Sequence, residues 1–105
     1  MIQNTKNNVY KVLETYEVTR NCDKRLVAYY WFMFQPGLLK EVDGEWFAPL
    51  KNVKDLMSEA TVSRIRRKIQ NDENRFMPTI KGVAEKRGIN MNIWKEWNSL
   101  VQDKL

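Results

Sequence analysis

The sequence predicts a mainly α-helical protein: a compact helical domain of five to six helices, with residues 39–48 able to form a small β-hairpin. Three observations predict it. Apolar residues recur at helical spacing in four separate segments. Pro36-Gly37, Pro49, Pro78 and Gly88 fall between those segments rather than within them. Asp43-Gly44 sits between two short apolar-bearing arms, the pattern of a tight hairpin turn.

Taken in order, Val9, Val12, Leu13 and Tyr16 share one face of a first helix lying between Lys6 and Thr19. Arg20-Asn21-Cys22-Asp23 breaks it, and Asn21 or Asp23 can cap the next helix. That helix runs from about Asp23 to Phe34, with Leu26, Tyr29, Tyr30, Met33 and Phe34 on one face. Trp31 and Phe32 make it apolar nearly all round, so it is either the central core helix or half of an oligomer contact. Gln35-Pro36-Gly37 stops it. Leu38 to Leu50 reads as strand, turn, strand. Such a pair is marginal alone and must lie on the helices, unless the segment is an irregular loop anchored by Trp46 and Phe47. Val53 to Met57 is a short helix with Asn52 as cap and Asp55 three residues on. Ser58 restarts the chain into a helix over Thr61 to Asn71, and Arg75 to Thr79 is a linker. Thr79 caps a helix through Arg87, ended by Gly88. Asn90 or Asn92 caps the last helix, striped with Ile93, Trp94, Trp97, Leu100 and Val101.

The length of 105 residues suits a single domain, 1–105, and 43% apolar with 30% charged residues suits a folded globular chain. The longest apolar run, Leu26 to Phe34, is far shorter than the ~18 residues a membrane span needs, so no membrane partner is expected. The N-terminus has no hydrophobic signal segment, and Cys22 is the only cysteine; both fit a cytoplasmic protein. Charge is unevenly placed. Residues 1–50 carry six Lys/Arg and six Asp/Glu, whereas residues 51–105 carry twelve and seven, which is the whole net +5.

That excess centres on Ser58-Glu-Ala-Thr-Val-Ser-Arg-Ile-Arg-Arg-Lys-Ile-Gln70. On a 100° wheel Val62, Ile65 and Ile69 form a narrow core-facing stripe, and the opposite arc carries Thr61, Ser63, Arg64, Arg67, Lys68 and Asn71. Arg66 and Gln70 fall on the flank, from which a long side chain can still reach out. Arg and Lys neutralise phosphates and release counterions. Thr61, Ser63, Arg64 and Arg67 leave the first turns, where side chains reach base edges, while Lys68 and Asn71 suit the backbone. Double-stranded DNA is the partner this pattern predicts, with Thr61, Ser63, Arg64, Arg66, Arg67, Lys68 and Asn71 as the DNA-facing set. A basic docking face for an acidic protein, or a merely solvated face, are the competing readings.

Nothing points to catalysis. Histidine is absent, which removes the commonest general base and metal ligand, and one cysteine cannot build a zinc site. Glu41, Asp43 and Glu45 alternate around the turn and could align for metal-assisted chemistry, though solvating the turn is their ordinary use. No phosphate-binding loop or nucleophile motif occurs, and no cofactor or metal is expected. Trp46, Phe47, Phe76, Trp94 and Trp97 could stack bases, but their spacing favours burial.

Ser58-Glu-Ala-Thr-Val-Ser-Arg64 resembles the opening of the recognition helix in bacterial helix-turn-helix repressors, with Asp55-Leu-Met-Ser58 standing where those proteins have a Gly-containing turn. A wider resemblance, carried by Val12 to Asn21, Asp23-Lys24 and Thr61 to Gln70, is to small uncharacterised proteins of phages and prophages of Gram-positive bacteria, regarded as helix-turn-helix or winged-helix-like. It implies a helix-turn-helix-like pair, a hairpin acting as a wing, and a nucleic-acid context in a bacterial host. The alternative function is a phage-encoded inhibitor or adaptor that binds a host protein, such as a replication factor or a nucleic-acid-guided defence nuclease of the CRISPR type. Trp31, Phe32 and Trp46 are then the partner-binding residues, and a homodimer follows if Trp31 and Phe32 prove exposed.

Overall fold

A computed structural model describes the backbone of residues 2–103. It is mainly helical, as the periodicity predicts. α1 (Ile2–Thr15) is followed by a 3-10 turn over Glu17–Arg20, α2 (Asp23–Phe34) and a second 3-10 turn over Pro36–Leu38. Strands β1 (Lys40–Val42) and β2 (Glu45–Phe47) come next, then a 3-10 segment over Leu50–Asp55. α3 (Glu59–Arg67) continues into a π turn over Lys68–Asp72, and α4 (Lys81–Lys86) and α5 (Met91–Asp103) complete the chain. No helix among the described residues is long and apolar enough to cross a membrane.

α1 ends four residues before the expected Thr19. The Thr19 hydroxyl, fully buried, donates to the carbonyls of Tyr16 at 2.5 Å and Val12 at 3.4 Å, taking helix-end acceptors and tightening the chain into the 3-10 turn. Neither Asn21 nor Asp23 caps α2; its cap residue is Cys22, which makes no side-chain cap bond. Both polar residues are used elsewhere. Asn21 Oδ1 accepts from the N–H groups of Thr79 at 2.8 Å and Ile80 at 3.2 Å, serving the start of α4 from across the molecule. The cap role expected of Thr79 is therefore filled by Asn21, to whose Nδ2 the Thr79 hydroxyl is acceptor at 2.7 Å. Asn90 Oδ1 does cap α5, accepting from Asn92 and Ile93 N–H.

The hairpin forms where Asp43-Gly44 predicts it. Both residues have positive φ, 52° and 83°, the geometry of the primed two-residue turn that matches strand twist. The register pairs Lys40 with Phe47, Glu41 with Trp46 and Val42 with Glu45. Directly paired residues share a face and successive ones alternate, so Glu41 and Glu45 lie on opposite faces. The acidic alignment considered from sequence is thereby ruled out.

The short helix expected at Val53–Met57 is the 3-10 segment Leu50–Asp55 instead. Asn52 does not cap it; its Nδ2 donates to the Leu38 carbonyl at 3.0 Å and ties the segment to the turn after α2. α3 therefore has no α-helical partner just before it. It packs against α1 and α2 instead.

The main core joins Val9, Val12 and Leu13 of α1, Leu26, Val27 and Tyr30 of α2, Val62 and Ile69 of the α3 segment, and Phe76. Each large side chain buried here contributes roughly 1.5–3 kcal/mol. A smaller cluster of Met77, Ala84 and Ile89 is covered by Met91, Ile93, Trp94 and Trp97. Trp94 also donates its indole N–H to the Pro78 carbonyl at 2.7 Å. The side chains of Leu100 and Val101, expected in the same stripe, lie outside the described residues.

Candidate nucleic-acid and partner-binding surfaces

Ser58 starts α3 as the sequence predicts. Its Oγ accepts from Thr61 N–H at 3.1 Å and donates to the Thr61 hydroxyl at 2.8 Å, while Glu59 lies in the positively polarised first turn. The inner face is rolled relative to the expected stripe: Val62, Arg66, Ile69 and Gln70 are buried and Ile65 is half-buried. Arg66, only 5% exposed, is thus a core residue rather than a flanking one.

The reason is Asp23. Arg66 Nε and Nη2 each donate to one of its carboxylate oxygens at 2.9 Å, a bidentate fork, and Ser63 Oγ donates at 2.8 Å. Arg87 Nη2 stands 3.8 Å away. Gln70 extends the network, donating to the Phe76 carbonyl at 2.8 Å and the Arg20 carbonyl at 3.1 Å and accepting from Arg87 Nη1 at 3.0 Å. Arg87 Nη1 also donates to the Arg20 carbonyl at 2.6 Å. Burial pushes the Asp23 carboxyl up, but hydrogen bonds from Arg66 and Ser63 with the charges of Arg66 and Arg87 outweigh it, so its pKa falls below the ordinary value. Burial lowers the Arg87 pKa, as does the like charge of Arg66, against the pull of Asp23. Burial likewise lowers that of Arg20, whose Nε donates to the Leu13 carbonyl at 2.8 Å.

The π turn moves one more residue. In a continuous α-helix Asn71 would follow Arg67 and Lys68 on the outer face. With Glu73 N–H bonded to the Lys68 carbonyl, Asn71 is half-buried and donates to the Arg87 carbonyl at 3.3 Å.

The seven residues expected to face DNA therefore divide. Arg64, Arg67 and Lys68 are exposed on one side of α3, and Thr61 is half-buried at its start. Ser63, Arg66 and Asn71 hold the interior together. Asp23, Gln70, Arg87 and Asn21 were not legible as a group from the sequence. The one local signal was Arg66 and Gln70 lying four residues apart beside Val62 and Ile69.

The expected partner-facing residues divide too. Phe32 and Trp46 are 45% and 47% exposed, meeting edge to face at 5.2 Å between ring centroids. Trp31 is half-buried, its indole N–H anchored to the Met57 carbonyl at 2.7 Å. Between α2 and the hairpin lies an open apolar cavity of about 340 Å³, whose walls include all three of Trp31, Phe32 and Trp46 together with Ala28, Tyr29 and Phe47. Of the other aromatics considered for stacking, Phe76 is buried, Trp94 and Trp97 are half-buried, and Phe47 is exposed. Among the described residues no three Cys, Asp or Glu side chains gather as metal ligands. Compared with family models, with curated proteins and with solved structures, the chain finds no match.

Proposed function

We propose that this protein binds double-stranded DNA through the Arg64, Arg67 and Lys68 ridge of α3, in a regulatory or accessory role that involves no catalysis. One observation carries the reading. These three cations share one exposed face and make no ion pair among the described residues, whereas the fourth base of the run, Arg66, is taken inside by Asp23. Spacing at i, i+3 and i+4 brings their charges together on one helical surface, which suits a run of phosphates. With Ser63 and Asn71 turned inward, base reading falls to Arg64 and Arg67 from the ridge and to Thr61 at the helix start. The hairpin, the wing that the resemblance implies, carries Glu41, Asp43 and Glu45 against Lys40, so its charge adds nothing to phosphate binding and the α3 ridge supplies the electrostatic contact.

Fluorescence anisotropy on labelled duplex DNA across a salt series tests this. Binding should weaken steeply with salt and collapse in Arg64→Ala/Arg67→Ala/Lys68→Ala, with an unchanged melting temperature. Removing any one cation that touches a phosphate should reduce the salt slope by about 1. Equal affinity for wild type and triple variant sinks the reading. Arg66→Ala is unsuitable for this purpose because it strips a buried ion pair.

A second reading, a protein docking on α2 and the hairpin, is favoured by the half-exposed rings of Phe32 and Trp46 beside the apolar cavity. A host protein is one candidate occupant. Association through this face would fall when Phe32 or Trp46 is truncated and would depend little on salt.

A further inference from the structure

We propose that the groove between α2 and the hairpin is a dimer interface, occupied by the same surface of a second copy of this chain. The inference rests on the second reading above and is independent of DNA binding, since it uses none of the α3 ridge. The outward face of α2 presents Lys24, Arg25, Ala28 and Phe32, all exposed and spaced along two turns. Its two ends carry opposite charge. Lys24 and Arg25 make no ion pair among the described residues, and their neighbour Asp23 does not neutralise them because its carboxylate faces Arg66 and Ser63. The positive end of the helix dipole adds to theirs. At the other end, Phe32 meets Trp46 of the hairpin, whose paired neighbour Glu41 shares that face beside Asp43 of the turn, and both carboxylates likewise make no ion pair among the described residues.

A surface cationic at one end, apolar in the middle and acidic at the other is complementary to itself under a twofold rotation. Two α2 helices laid antiparallel bring Lys24 and Arg25 of each copy to the acidic hairpin of the other, so every favourable contact is made twice. Ala28, midway between the charged ends, offers only a methyl group and permits helix axes to approach within roughly 8–10 Å. The rings of Phe32 and Trp46, each about half exposed, are then covered. A parallel arrangement would set like charges together, and a partner of uniform charge would satisfy only one end.

Charge reversal tests the proposal, read by sedimentation equilibrium. Wild type should dimerise. Lys24→Glu/Arg25→Glu and Glu41→Lys should each weaken self-association by at least about tenfold, with unchanged circular dichroism. An equimolar mixture of the two variants should form a heterodimer, because both contacts are then attractive. Ala28→Arg should block every one of these dimers. The proposal is overturned if wild type stays monomeric from micromolar to millimolar concentration, which would leave the groove to a different protein. It is equally overturned if mixing restores nothing, or if assemblies grow beyond the dimer as a non-closing contact would.

Discussion

Asp23 receives the fork of Arg66 and a second guanidinium from Arg87 at a position that reads, in sequence, as an ordinary helix cap. With Arg66 almost wholly enclosed, removing the carboxylate leaves a cation without solvent or counter-charge. Asp23→Ala should therefore cost about 3 kcal/mol, seen as a lower urea midpoint with an unchanged slope. Arg66→Lys should recover little, because an ammonium cannot span both carboxylate oxygens at once. The same pair sets an acid limit. Since the Asp23 carboxyl sits below its ordinary 3.8 when folded, its contribution is fully present above that pH and is lost as pH falls through the lower folded value. The difference in melting temperature between wild type and Asp23→Asn should hold from neutral pH down to about 4 and shrink below it. A constant difference down to pH 2 would contradict the ion-pair account. The guanidinium pair was not readable from the sequence: Asp23 and Arg66 are 43 residues apart, and only chain folding brings them together.

Elements whose ends rest on backbone geometry were the most legible. Gly88, at φ 69°, closes α4 with its N–H on the Glu85 carbonyl and Ile89 N–H on the Ala84 carbonyl, a paired C-terminal cap that needs a left-handed residue. Nothing lies near the place a Cβ would take there, so Gly88→Ala should cost only the backbone strain, about 1 kcal/mol, readable as a small drop in melting temperature. Gly44, at φ 83°, sets the hairpin turn in the same way. Gly44→Val should abolish the nuclear Overhauser contacts between Phe32 and Trp46 while leaving the helical amide signals in place, because β1 and β2 contribute no buried residue. Loss of the whole spectrum would show that the hairpin supports the core. The π turn after Arg67 was illegible for the opposite reason. No residue from Lys68 to Asp72 is a helix breaker; the extra residue is accommodated because Gln70 reaches the Phe76 and Arg20 carbonyls and Asn71 that of Arg87.

The molecule measures 45 × 30 × 22 Å along its principal axes, and its described residues form two apolar clusters of unequal size. The smaller, around Met77, Ala84 and Ile89, is joined to the larger by Phe76 against Trp97, by Asn21 across to Thr79 and Ile80, and by Arg87 with Gln70. A unit with few buried side chains, joined largely by polar ties, is expected to open at lower free energy than the main core. Amides of α4 should exchange with solvent by a route of lower free energy than those of α1 and α2, and Asn21→Ala should widen that gap by loosening the start of α4. Uniform protection across all helices would show one cooperative unit.

The sequence by itself determined the mainly helical fold, the primed turn, the uneven charge and the presence of one basic helix, because these follow from periodicity, from φ preferences and from composition, all local. It did not determine which bases of that helix face outward. Wheel geometry places Arg66 within about 40° of Val62, so its side chain can be buried or exposed according to what stands opposite. Tertiary structure decided it by setting Asp23 there, and with it which three of the four cations remain exposed. The same holds for α2, apolar nearly all round: only packing shows that Leu26, Val27 and Tyr30 serve the core and that Phe32 is left beside the hairpin.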